Sequence, residues 1–131
     1  MSELIEVKRI SLKKGRGVIA KKGINKGTLI EKANVLLIPN KDYEKIQDTI
    51  LHAYTFEWQD PKYDGEYACA IALSICQFIN HSYHPNVKYI YDYENDTIEY
   101  YAIKKIQPGE ELSVNYNGKI RDNAPLWFEI E

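Results

Sequence analysis

The sequence predicts a mainly β fold with short helices, and three observations predict it. Short runs alternate apolar and polar residues, Gly and Pro turn signals divide those runs at close intervals, and helical patterning is confined to brief segments. Leu4–Ile10 alternates apolar and polar side chains and is predicted to be a half-buried strand. Gly15 and Gly17 interrupt the pattern before a short strand at Val18-Ile19-Ala20, and Lys22–Gly27 has turn composition on both sides of Ile24. Thr28–Pro39 is rich enough in Leu, Ile and Val to be one bent strand or two.

Asn40-Lys41-Asp42 predicts a cap on a short helix over Tyr43–Leu51, since Ile46 and Ile50 stand four apart with polar residues between. His52–Trp58 is aromatic and extended in character, and turns are expected at Asp60-Pro61 and Asp64-Gly65. Tyr67–Ser74 and Ile75–Ile79 suit a buried strand leading into one helical turn, a short run in which periodicity does not separate strand from helix. Val87–Tyr93 and Thr97–Ile103 are predicted strands joined by a hairpin at Glu94-Asn95-Asp96, and Pro108-Gly109 turns into a last strand at Glu111–Val114. The tail from Asn117 is polar until Leu126-Trp127-Phe128, an aromatic end expected to dock on the body.

With 131 residues, the chain is expected to be one domain that buries roughly two-thirds of its unfolded surface. A formal net charge of −2 argues against direct nucleic-acid binding and suits a basic protein or peptide partner. Cys69 and Cys76 are too few for a disulfide framework, and with three scattered histidines they form no zinc spacing; both are expected to be buried apolar residues, with no metal bound. The amino terminus lacks a basic start and an apolar run, and no apolar stretch is long enough to span a membrane. The expectation is therefore a soluble cytoplasmic protein, or a nuclear one in a eukaryote, with no membrane partner.

Two segments combine an apolar flank with a polar tip: Gln77–Asn86 (Gln-Phe-Ile-Asn-His-Ser-Tyr-His-Pro-Asn) and Glu110–Tyr116 (Glu-Glu-Leu-Ser-Val-Asn-Tyr). Phe78 and Ile79 suit anchoring in a core, while Asn80, His81 and Ser82 offer a dense set of donors and acceptors. Asn80-His81-Ser82, Pro85-Asn86, and Glu111-Leu112 with Tyr116 four residues on resemble the paired signature of the SET-domain protein lysine methyltransferases. Gly15-Arg16-Gly17 is similar to that family's amino-terminal Gly-x-Gly segment, and the three motifs stand in the family's order along nearly the whole chain.

The resemblance implies a single SET domain over residues 1–131: small curved sheets, short helices and a carboxy-terminal pseudoknot, with 117–131 as an aromatic tail in place of a zinc-binding segment. It also implies methyl transfer from S-adenosylmethionine, leaving S-adenosylhomocysteine, to a lysine amine of a basic, histone-like protein. Tyr116 matches the family's essential tyrosine; a plain strand tyrosine is its bland alternative. Asn80 and His81 match the pair that holds the cofactor, or else form a satisfied polar cluster. Gly15, Arg16 and Gly17 would let backbone amides approach the cofactor carboxylate, or simply make a tight turn.

Gln77 stands where the motif usually has Arg, on the cofactor side, and Trp127 either stacks near the adenine or plugs the carboxy terminus. Tyr54, Tyr89 and Val114 are expected to line the lysine channel, with ordinary strand packing as the alternative for the two tyrosines. The Tyr-x-Gly segment usual after the second strand is replaced by Glu31-Lys32-Ala33-Asn34, and Asn115 replaces an Asp. An inactive SET-like module that binds a basic tail is the competing reading. The exposed aromatics leave a homodimer open.

Overall fold

The computed structural model describes residues 3–116. Strands β1 (Ile5–Ser11) and β2 (Gly15–Ala20) form an antiparallel hairpin with a register shift between Arg9 and Ser11. The glycines do not precede β2 as the alternation suggested; they lie within it, Gly15 at φ +70° as the strand leaves the turn. Thr28–Pro39 proves to be one strand, β3 (Leu29–Pro39), shared between two partners: its first half pairs with Thr97–Ala102 and its second with Tyr67–Ala72.

The helix α1 (Asn40–Ile46) is shorter than the sequence suggested, and the cap differs. Pro39 occupies the cap position, while the Asn40 side chain donates instead to the Gly65 carbonyl at 2.7 Å. Ile50, 76% exposed, belongs to a separate 3-10 turn at Ile50–Tyr54, so the expected Ile46/Ile50 stripe never forms, and His52–Trp58 is extended only from Phe56. A stripe of two residues buries too little apolar surface to hold a third helical turn.

The remaining elements are β4 (Phe56–Glu57), β5 (Tyr67–Ala72), a 3-10 turn at Ile75–Phe78, β6 (Asn80–His81), β7 (Val87–Asp92), β8 (Thr97–Ala102) and β9 (Ser113–Val114). Of these, β5, β7 and β8 lie within the strands the sequence suggested, β9 is shorter than the expected Glu111–Val114, and β6 was not expected as a strand. Asp60 accepts from the Lys62 amide to cap the 3-10 turn Pro61–Tyr63, and Asp64 closes it in the left-handed region at φ 49°. Cys69 and Cys76 are both buried and unbridged, as expected.

Five strands make the main sheet in the order β4-β5-β3-β8-β7. Its two edges meet: Phe56 on β4 lies edge-on to Tyr89 on β7 with ring centroids 5.1 Å apart, and Trp58 packs edge-on to Tyr91 at 5.4 Å and Tyr93 at 4.9 Å. Aromatic pairs of this geometry add about 1 kcal/mol each beyond area burial, so these contacts help hold the sheet curled where β4 and Trp58 face β7 and Tyr93. Inside the curl lie Ile98, Tyr100 and Ala102 of β8, all under 3% exposed.

The segment after Pro108 ties the hairpin to the sheet. Ala20 donates to Glu110 and Leu112 donates to Val18, so residues 110–112 run along β2, and β9 then pairs in parallel with β6 in the register Asn80–Ser113 and His81–Val114. Among the described residues no helix is long and apolar enough to cross a membrane. Trp127 and the rest of 117–131 lie outside the described residues.

Candidate active site

The Glu110–Tyr116 segment carries β9 alongside β6, and this places Tyr116 against the strand that carries Asn80 and His81. The Tyr116 amide donates to His81 Nδ1 at 2.9 Å, and its hydroxyl donates to the Ile79 carbonyl at 2.7 Å. Since Nδ1 accepts, the neutral His81 ring carries its proton on Nε2. Desolvation lowers the His81 pKa, which keeps the ring in that neutral form. Burial is also the main reason the Tyr116 phenol is pushed up to about 12, with Tyr54 and Glu111 adding to it.

Beside Tyr116 the curled sheet encloses a partly open cavity of about 540 Å³. Tyr54, Tyr89 and Val114, the three residues expected to line a channel, all face it together with Tyr116. Tyr91 and Tyr100 also line it and were missed by sequence reasoning. The signal was present: Tyr89 and Tyr91 stand two apart on β7, and Tyr100 lies directly across from Tyr89 on β8, so all three share one face. Tyr100 is 1% exposed, its phenol pKa is raised by burial, and its hydroxyl has no hydrogen-bond partner among the described residues. Glu57 adds a carboxylate to the wall, and its charge contributes to raising the pKa of both Tyr89 and Tyr91.

On the other side of β6, the three sequence motifs meet at one pair of side chains. Asn80 Nδ2 donates to Glu111 Oε2 at 2.8 Å and to the Arg16 carbonyl at 3.3 Å, while Lys14 Nζ meets Glu111 Oε1 at 3.1 Å. A Cβ on Gly17 would sit 2.8 Å from both Asn80 Nδ2 and Glu111 Oε2 and 2.7 Å from Ile10 Cγ1. Gly17 is thus required by the close approach of Asn80 and Glu111, whereas Gly15 is required by its positive φ and has open space around it. The Arg16 guanidinium lies over the Phe78 ring at 4.4 Å.

Gln77 lines the cavity from beneath, with its amide engaged by backbone: the oxygen accepts from Ala72 at 2.7 Å and the nitrogen donates to Tyr54 at 3.1 Å. It therefore anchors the 3-10 turn that carries Tyr54. Asn86, 6% exposed, does similar work for the last segment, accepting from the Ser113 amide at 2.8 Å and donating to the Glu111 carbonyl at 2.9 Å.

These residues can be set beside known proteins. The family model described as the SET domain matches residues 15–117. A Schizosaccharomyces pombe protein named as a histone-lysine N-methyltransferase, H3 lysine-37 specific, is 37% identical over 120 residues, which cover 91% of this chain and 74% of that relative. The chain belongs to the SET-domain family of protein lysine methyltransferases.

Solved SET-domain structures share its fold. A solved Plasmodium falciparum structure superposes with a TM-score of 0.66 at 23% identity, covering 88% of this chain and 95% of the other. The Chaetomium thermophilum Polycomb Repressive Complex 2, in a humanized mutant form, superposes with a TM-score of 0.69 at 22% identity; there 88% of this chain matches 15% of the larger one. The SET family uses S-adenosylmethionine, and two features here fit the amino-acid end of such a cofactor. Among the described residues, Asn80 Oδ1 has no hydrogen-bond partner and the space beside Gly15 is open. Among the described residues no group of three or more His, Cys, Asp or Glu could hold a metal ion.

Proposed function

We propose that this protein binds S-adenosylmethionine through Gly15, Arg16, Gly17, Asn80 and His81 and methylates a lysine side chain inserted into the tyrosine-lined cavity, with Tyr116 as the catalytic residue. The observation that carries this reading is the Tyr116 hydroxyl, held by Ile79 at the wall of the cavity, on a residue whose own amide is bonded to His81. When bound, the cofactor supplies an activated methyl group on a positively charged sulfur.

The chain's own contribution is alignment and electrostatics. With its proton committed to Ile79, the Tyr116 oxygen presents lone pairs to the cavity and accepts an N–H from an incoming amine. That contact turns the amine so that its lone pair points along the line of transfer. A lysine must also be neutral to attack, which near pH 7.4 costs roughly 4 kcal/mol from an ordinary pKa of about 10.4. Tyr89, Tyr91, Tyr100 and Tyr116 all have raised pKa values and stay uncharged, so these four phenols offer an ammonium no counter-charge and favour its neutral form. Glu57 supplies the opposite influence on the same wall, an attraction for the cationic side chain as it arrives.

The substrate class we infer is a basic protein tail. Support comes from Glu57, from the chain's mild negative charge, and from the histone specificity in the name of the yeast relative. Calorimetric titration with the cofactor, followed by labelled methyl transfer to a mixture of basic proteins with and without Tyr116→Phe, tests the reading. Transfer that drops on the order of 100-fold in the variant is expected. Equal incorporation by both forms would remove Tyr116 from the mechanism, and no binding at millimolar cofactor would leave only a module for basic tails.

A further inference from the structure

The meeting of Lys14, Glu111, Asn80 and Gly17 asks more of Glu111 than a surface ion pair would. We propose that Glu111 is a positioning residue that acts through Asn80, holding its amide so that the oxygen faces outward as an acceptor for the cofactor's α-ammonium group. This rests on the reading of Asn80 as a cofactor-binding residue.

The two ends of an asparagine amide have nearly the same shape, and an unconstrained one can present either its oxygen or its NH₂. Here the choice is made by the neighbours. Asn80 Nδ2 faces Glu111 Oε2 at 2.8 Å and the Arg16 carbonyl at 3.3 Å. A carboxylate and a carbonyl only accept, so an Asn80 turned over would set oxygen against oxygen at both contacts. The orientation that remains leaves Oδ1 without a partner among the described residues.

Glu111 is itself held in place. Lys14 takes its other oxygen at 3.1 Å, with side-chain exposures of 28% for Lys14 and 21% for Glu111. The absence of a side chain on Gly17 lets Glu111 and Asn80 approach as closely as they do. An outward carbonyl oxygen attracts an ammonium and repels a carboxylate, so this one atom tells the two charged groups of an α-amino acid apart. Glu111 thereby sets which end of the cofactor's amino-acid moiety is read at Asn80.

The test compares two ligands by calorimetric titration of the whole chain: S-adenosylhomocysteine, and its analogue with hydrogen in place of the α-amino group. The native protein is expected to bind the analogue about tenfold to a hundredfold more weakly, the range for one charge-assisted hydrogen bond. In Glu111→Gln the new amide can donate, so only the longer contact to the Arg16 carbonyl still opposes a turned Asn80, and that ratio should shrink several-fold.

A residue that only supported the fold would weaken both ligands alike and leave the ratio unchanged. If Glu111→Gln does not fold, Lys14→Met, which loosens Glu111 without removing it, should lower the ratio by a smaller factor. The same ratio in the native protein and every folded variant would overturn the proposal while leaving the cofactor reading intact. Failure of the native protein to bind S-adenosylhomocysteine at all would overturn both.

Discussion

At the scale of single residues, Tyr116 and His81 form one unit in which each constrains the other. Tyr116→Phe removes the hydroxyl bond to Ile79, so a stability loss of about 1 kcal/mol is expected beside the loss of methyl transfer. Denaturant unfolding of the variant checks that the two losses are separate. His81 gives a pH dependence of defined sign. Its folded pKa lies below the ordinary value near 6.5, so the unfolded chain takes up the proton first as pH falls. The stability His81 contributes is present above about pH 6.5 and lost as pH drops toward the folded value, when protonation at Nδ1 breaks the bond from the Tyr116 amide. Nitrogen-15 spectra of the His81 ring should show an unprotonated Nδ1 at pH 7.5, and a protonated one there would contradict the tautomer.

At the scale of elements, the short parallel pairing of β6 and β9 depends on groups outside both strands. Two residues per strand give too few backbone bonds to stand alone, and Asn86 supplies the missing attachment through Ser113 and the Glu111 carbonyl. Asn86→Ala leaves those backbone groups buried and unpaired, and should cost about 2 to 4 kcal/mol. Amide exchange at Ser113 is expected to accelerate in step with that loss, whereas unchanged protection would mean β9 is held by its strand partner alone. Gly17→Ala belongs at the same scale, because its methyl would enter the contact between Asn80 on β6 and Glu111 beside β2. It should lower the melting temperature and weaken cofactor binding together, since one displacement causes both.

At the scale of the whole molecule, the curled sheet places most of its buried phenols around one cavity. Tyr89, Tyr91, Tyr100 and Tyr116 all have pKa values above the ordinary value of about 10, chiefly through burial. The unfolded chain therefore loses protons first as pH rises, and the stability tied to the neutral phenols is complete below pH 10 and falls away through about 12, the Tyr116 value. Melting temperature measured across that range should fall steeply, with the ultraviolet signature of tyrosinate appearing as the protein unfolds. A melting temperature that holds constant to pH 12 would show that the cavity is wetter than its burial implies.

Much of this was legible in the chain itself. Alternation at Leu4–Ile10, and the strand-forming runs of β7 and β8 on either side of a hairpin turn, located strands because a sheet imposes residue types and turn signals that the sequence must carry. The Asn-His and Glu-Leu-x-x-Asn-Tyr motifs pointed to the family because their chemistry requires those side chains at that spacing. Legibility ended where the outcome depended on partners far away in sequence. The extent of α1, the engagement of Gln77 by backbone, the clustering of Tyr91 and Tyr100 around the cavity, and the reason Gly17 is glycine all turn on contacts between separate segments. Local sequence specifies periodicity and functional groups; which oxygen faces Asn80, and which phenols share a wall, is decided only when the sheet curls and its edges meet.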